Sequence, residues 1–181
     1  AKSIYIKRYL TPFGEFIPLR NIASIVSPHT DRVTDFTPGN GLIIHEVDGV
    51  KISSVICYEL LSDSIIRESA RSSDFISVLT NSATFSGSAE GDQQMSITRI
   101  RAIESGKNII SVSTTGPSAF INHRGEVLSK LDDGEVGSIS QSIDLRGSQT
   151  LATRYGEEFT YLVLLFSLLW IARSIRPQGK G

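Results

Sequence analysis

One cysteine, Cys57, occurs in 181 residues, and a carboxylate, Glu59, follows it two positions later. In the stretch Ser53-Ser54-Val55-Ile56-Cys57-Tyr58-Glu59-Leu60 the thiol closes a run, Val50 to Ile56, that reads as a buried strand. Open α/β architectures place ligands and nucleophiles at that end of a strand. The chemistry on offer is nucleophilic attack by a thiolate. The plainer alternative is a core side chain, because free cysteine is among the most buried residue types. A single cysteine excludes an intrachain disulfide, and neither CxxC nor HExxH nor another metal-ligand spacing occurs. His29, His45 and His123 are scattered near predicted turns or strand ends and read as surface residues. No cofactor is expected.

The chain is long enough for one domain with its own core. Eighteen basic and 19 acidic residues leave a net charge of −1, and no basic run is interleaved with aromatics, so no nucleic-acid partner is expected. Residues 3–10 alternate as a strand. Thr11-Pro12-Phe13-Gly14-Glu15-Phe16-Ile17-Pro18 breaks it into a structured loop. Leu19, Ile22, Ala23 and Val26 predict a short helix, and residues 27–41 a long loop. Residues 42–47 and 50–56 form strands around an Asp48-Gly49 hairpin turn. Ser62 caps a helix to about Arg71, residues 74–80 form a strand, and a small-residue loop covers 81–90. The next helix spans residues 92–105, with Ile97, Ile100 and Ile103 in one row and Gly106 as its C-cap. Strands at 108–114, 118–122, 127–131 and 137–145 complete the reading. Helices alternate with strands early and hairpins gather late, which predicts a layered α/β domain with a mixed sheet.

Residues 159–172 carry no charge, while Glu157 and Glu158 precede them and Arg173, Arg176 and Lys180 follow. The run is apolar on every face, has Tyr161 and Trp170 near its ends and is basic on one side only. These features favour a membrane span with its C-terminus in the cytoplasm over a buried core helix, although a span of ~20 residues must recruit the flanks. The chain does not begin with Met, no signal peptide is read, and the first residues already look like a strand, as in a piece of a longer protein.

Three stretches belong together: residues 5–18, which include Lys7-Arg8-Tyr9-Leu10-Thr11-Pro12-Phe13-Gly14-Glu15; then Val55-Ile56-Cys57-Tyr58-Glu59; then Arg99-Ile100-Arg101-Ala102-Ile103-Glu104-Ser105-Gly106. With the apolar tail, they resemble the apolipoprotein N-acyltransferase family, the membrane-bound branch of the nitrilase (carbon–nitrogen hydrolase) superfamily. The resemblance covers nearly the whole chain but only the later part of the family's catalytic domain and its last membrane helix. It implies a nitrilase-like four-layer α-β-β-α sandwich, incomplete at its N-terminal side, followed by one transmembrane helix. The implied division is catalytic domain 1–150, linker 151–158, transmembrane helix 159–175 and cytoplasmic tail 176–181.

The family works with a Glu–Lys–Cys triad. By motif match Cys57 is the nucleophile, Lys7 the lysine, Glu15 a supporting carboxylate and Glu59 a further acidic residue required beside the nucleophile. The general-base glutamate lies upstream of the lysine motif, and no residue here matches it. A lysine ammonium beside the thiol would lower its pKa from ~8.5 and stabilise an oxyanion. Where the family reads Asn-Asp-x-Trp-Phe-Gly, this chain has Asn81-Ser82-Ala83-Thr84-Phe85-Ser86, and a Gln-His pair is Gln93-Gln94. Tyr58, Asn81, Thr84 and Phe85 are the implied substrate-binding residues, and the missing tryptophan removes a large apolar wall.

The implied reaction takes an acyl chain from a phospholipid onto Cys57 as a thioester and gives it to the N-terminal amine of a diacylglyceryl-cysteine lipoprotein. The implied location is the bacterial inner membrane, with the catalytic domain on the extracytoplasmic side. Two alternatives stand beside it: an amidase of the same superfamily that uses water as acceptor, and a non-catalytic membrane-anchored domain with an unreactive core cysteine.

Overall fold

The computed structural model describes residues 3–21, 34–83 and 87–174. Its frame is a six-stranded sheet with strands adjacent in chain order: β1 (Ile44–Val47), β2 (Val50–Ile56), β3 (Phe75–Thr80), β4 (Ile109–Ser113), β5 (Ser118–Ile121) and β6 (Val127–Leu131). The β1–β2 hairpin is antiparallel and closes through Asp48 and Gly49, both at positive φ (50° and 80°), the geometry that Asp-Gly favours. β2, β3 and β4 run parallel, joined by helices α1 (Asp63–Ser72) and α2 (Glu90–Ser105). β4, β5 and β6 then turn antiparallel. The mixed α/β sheet expected from the sequence is therefore present.

Register explains the core. Ser53, Val55, Ile76, Val78, Ile109, Ser111, Ala119 and Ile121 share one face and are buried, with Ile65, Ile66, Ala70, Met95 and Ala102 of the helices packed in the same core. The opposite face is also apolar, with Ile52, Ile56, Phe75, Leu79, Ile110, Val112 and Phe120 aligned, yet Leu79 and Val112 remain exposed. A strand apolar on both faces belongs between two layers, as the sheet-on-sheet centre of the expected sandwich requires.

Ser62 caps α1 by accepting from the Ile65 amide, and Gly106 ends α2 in the left-handed conformation (φ 68°), both as the sequence indicates. The buried side of α2 is Met95, Thr98, Ala102 and Ser105; of the expected isoleucine row, Ile97 packs on the core, while Ile100 and Ile103 stay exposed.

Two expected strands are absent. Residues 3–10 run without a ladder because their polar groups have other partners: the Arg8 and Tyr9 amides donate to Glu59, and the Lys7 carbonyl accepts from Gly39 N–H at 2.9 Å. A Cβ at Gly39 would overlap the Ile6 carbonyl, so the close approach needs glycine. Residues 137–145 also lack a ladder; the Asp144 carbonyl accepts from the Asn108 side chain, and the neighbouring Arg146 carbonyl from Lys107 Nζ. The expected helix beginning near Leu19 and the first part of the loop at 27–41 fall largely outside the described residues.

The last helix, α3 (Leu151–Ser174), has 24 residues and is long and apolar enough to cross a membrane. Residues 151–158, expected as a linker, are its first turns. That end is tied down: Thr153 is buried, Arg71 donates to the carbonyls of Thr153 and Arg154 at 2.9 and 3.1 Å, and Thr150 Oγ1 bonds to the Glu104 carbonyl. Residues 157–174 are exposed throughout, including Leu162, Leu165, Phe166, Leu169 and Trp170. The apolar row thus leaves the domain and packs against none of it.

Candidate active site

β2 ends at Ile56, and Cys57 opens a short 3-10 turn (Cys57–Leu61) with φ 50°. An L-residue in the left-handed region costs about 1–2 kcal/mol and persists only where its surroundings over-determine it. Here they do. Glu59 Oε2 accepts the Ile56 amide at 2.8 Å on the strand side. On the far side Arg101 of α2 donates to the carbonyls of Leu60 and Leu61 at 2.9 and 3.0 Å and pairs with Asp63 and Glu104 at 2.7 and 2.5 Å. The result is a sharp elbow that presents Cys57 just past the C-terminal end of β2.

Glu59 is fully buried and joins this elbow to the lysine segment. Besides Ile56 N–H, it accepts from the Arg8 and Tyr9 amides at 2.5 and 3.2 Å and from the Tyr5 hydroxyl at 3.0 Å. Burial is the main reason the Tyr5 hydroxyl is pushed up to about 12, with the Glu59 charge adding to it against the opposing Arg8 hydrogen bond. Lys7, between these anchored residues, donates to Glu15 Oε2 at 2.6 Å and to Thr11 Oγ1 at 3.1 Å. Glu15 Oε2 also accepts the Thr11 amide at 2.7 Å. Burial alone would raise the Glu15 carboxyl, but the Lys7 ammonium and the Thr11 amide outweigh it and hold the group below its ordinary range.

Cys57 is half-buried at the edge of a cleft of about 360 Å³ lined by Thr11, Tyr58, Leu60, Glu90, Gln94 and Ile97, among others. Most of the lining surface is carbon, and Tyr58 stacks on Tyr9 with ring centroids 5.4 Å apart. Burial pushes the Cys57 thiol up; the Lys7 charge and a backbone hydrogen bond from Tyr58 draw it down, and Glu90 and Glu15 push it up again. The net direction is upward. Lys7 therefore acts on the thiol in the expected sense, but desolvation outweighs it.

Of the residues the sequence singled out, Cys57 and Tyr58 line the cleft; Lys7 and Glu15 do not line it but bond to Thr11, which does, and their charges act on the thiol. Glu59 does not line the cleft. Asn81 is exposed at the end of β3, bonded to Thr114 and Ala83, and is not part of the cleft wall. Thr84 and Phe85 lie outside the described residues. Thr11, Glu90 and Arg101 are functional residues that the sequence does not single out: Thr11 and Arg101 stand inside the motifs without a visible partner, and Glu90 falls in the small-residue stretch expected as a loop, whereas it is the first residue of α2.

A left-handed cysteine elbow on a parallel strand, next to a Lys–Glu pair, is what a cysteine acyl-transfer or hydrolytic centre needs. The carbon-nitrogen hydrolase family matches residues 2–153, and the chain belongs to it. Among curated proteins it is 32% identical over 96% of its length to an apolipoprotein N-acyltransferase of Mycolicibacterium smegmatis, and 32% identical over 91% to one of Rickettsia bellii. It spans only 29% and 33% of those proteins, about a third of their length. The solved structure of a carbon-nitrogen hydrolase superfamily protein from Xanthomonas campestris, 19% identical, superposes with TM-score 0.51 over 71% of this chain and 48% of that one, a likeness of fold.

Proposed function

We propose that this chain is the thiol-bearing part of a membrane N-acyltransferase that moves an acyl chain from a phospholipid to the N-terminal amine of a diacylglyceryl-cysteine lipoprotein. The observation that carries the reading is a strained cysteine at an apolar cleft in a domain whose terminal helix exposes a membrane-length apolar surface. The curated relatives support it by their activity. In the first half-reaction the Cys57 thiolate attacks the ester carbonyl; the C–S bond forms, the ester C–O bond breaks, and the lipid alcohol leaves with a proton. An ammonium has three N–H groups. Lys7 gives two of them to Thr11 and Glu15 and keeps one for the oxyanion. In the second half-reaction the acceptor amine attacks the thioester, a C–N bond replaces C–S, and the sulfur regains a proton. A general-base glutamate upstream of Lys7 is assigned the proton shuttle, Glu15 holds Lys7, and Glu59 positions the elbow.

α3 is assigned as the membrane anchor, in the bacterial inner membrane, with the domain outside the cytoplasm and the basic end at Arg173 on the cytoplasmic side. The test is transfer by the full-length protein in phospholipid vesicles to a diacylglyceryl-cysteinyl peptide, read by mass. The expected product carries one added acyl group on the α-amine. Release of free fatty acid with the peptide unchanged would instead make the protein a hydrolase.

A further inference from the structure

One carboxylate in the cleft has no task in this scheme. Glu90, the first residue of α2, lines the same cleft as Cys57, and its charge reaches the thiol. Its Oε2 is buried and has no hydrogen-bond partner among the described residues. A buried carboxylate oxygen without a donor is costly, so its place beside the nucleophile calls for a donor that arrives with a ligand. The position is fixed: the Glu90 amide donates to Ser88 Oγ at 3.3 Å, and Gly91 lies so close to Pro117 that a Cβ would sit 2.8 Å from it. The N-terminal end of α2 also favours a negative charge. The residues that line the cleft with it, Thr11, Tyr58, Leu60, Gln94 and Ile97 among them, carry no cation, and the nearby Lys7 ammonium is held by Glu15 and Thr11.

We propose that Glu90 receives the α-ammonium group of the acceptor and delivers it to the Cys57 thioester. This rests on the transfer reading above. A carboxylate repels the donor's phosphate and pairs with a primary ammonium, and its place on the cleft that Cys57 also lines puts it where the acceptor nitrogen must arrive. The bound ammonium gives one proton to Glu90, which releases it to solvent. The neutral amine attacks the carbonyl, C–N forms and C–S breaks, and the nitrogen's second proton passes through the general base to the sulfur.

The test uses the full-length protein in vesicles, charged with acyl groups from phospholipid. Its thioester is discharged either by the diacylglyceryl-cysteinyl peptide or by hydroxylamine, a nucleophile that is neutral near pH 7. In Glu90→Gln the ratio of peptide to hydroxylamine discharge rates should fall about 10- to 100-fold, the worth of a hydrogen bond to a charged group. Glu90→Asp should recover part of it, which a merely structural role would not give. An equal ratio in wild type and Glu90→Gln would overturn the inference alone. So would a defect confined to charging from phosphatidylethanolamine and absent with phosphatidylglycerol, since the ammonium would then be the donor's headgroup. A wild type that forms no Cys57 adduct would overturn the transfer reading, and this inference with it.

Discussion

Lys7→Met in the full-length protein is expected to slow acylation of Cys57 by about 10²–10³-fold, the usual cost of losing one oxyanion donor. The remaining activity should also need a higher pH. Burial already pushes the Cys57 thiol up, and Lys7 is the largest influence in the other direction. Removing the ammonium raises the thiol further, so the thiolate fraction at neutral pH falls and the pH–rate curve moves to the alkaline side. Glu15 and Thr11 then lose the partner they orient. Single-turnover acylation followed from neutral to alkaline pH separates the two effects: the shift is recovered at high pH and the lost oxyanion contact is not. An unshifted curve with a wild-type plateau would show that Lys7 acts on neither the thiol nor the oxyanion.

Glu59→Ala is expected to cost stability before it costs chemistry. The substitution orphans three backbone amides, Arg8, Tyr9 and Ile56, and the Tyr5 hydroxyl. Each buried donor left unpaired costs about 1–3 kcal/mol, so the sum is a large share of the ~5–15 kcal/mol that holds a typical domain. Glu59→Gln should be milder in volume but not harmless, because its amide NH₂ meets N–H donors where an oxygen stood. Thermal unfolding and the rate of Cys57 alkylation by iodoacetamide should change together, since the same carboxylate fixes the lysine segment and the elbow. A Glu59→Ala protein with wild-type melting and alkylation would remove Glu59 from the positioning role.

The local chemistry of the sheet made it legible. Asp48-Gly49 dictated a hairpin, Ser62 and Gly106 marked helix ends, and the apolar runs at 50–56 and 75–80 could only be strands. Long-range polar contacts were not legible. The alternation in residues 3–10 suits a strand, yet their amides turn to a single carboxylate some fifty residues away. Asp144, and Arg146 just beyond the expected strand, likewise give their carbonyls to the Asn108 and Lys107 side chains instead of to a neighbouring strand. No periodicity encodes such partners. In the site, motif spacing named Cys57, Lys7, Glu15 and Glu59, but the distinction between cleft-lining Tyr58 and buried Glu59 appears only when the elbow is folded. Glu90 escaped because its neighbours read as loop, and its position on the cleft depends on the first turn of α2 docking against Pro117.

Transfer through a thioester requires Cys57 to carry the acyl group. The most direct measurement is intact and peptide mass spectrometry of the full-length protein after incubation with phospholipid vesicles and no acceptor. The expected result is a mass increase equal to one acyl chain, located on Cys57, removed by hydroxylamine and missing in Cys57→Ala. A wild-type protein that delivers acyl groups to the peptide while its Cys57 never carries one, or a Cys57→Ala protein that still transfers, would contradict it.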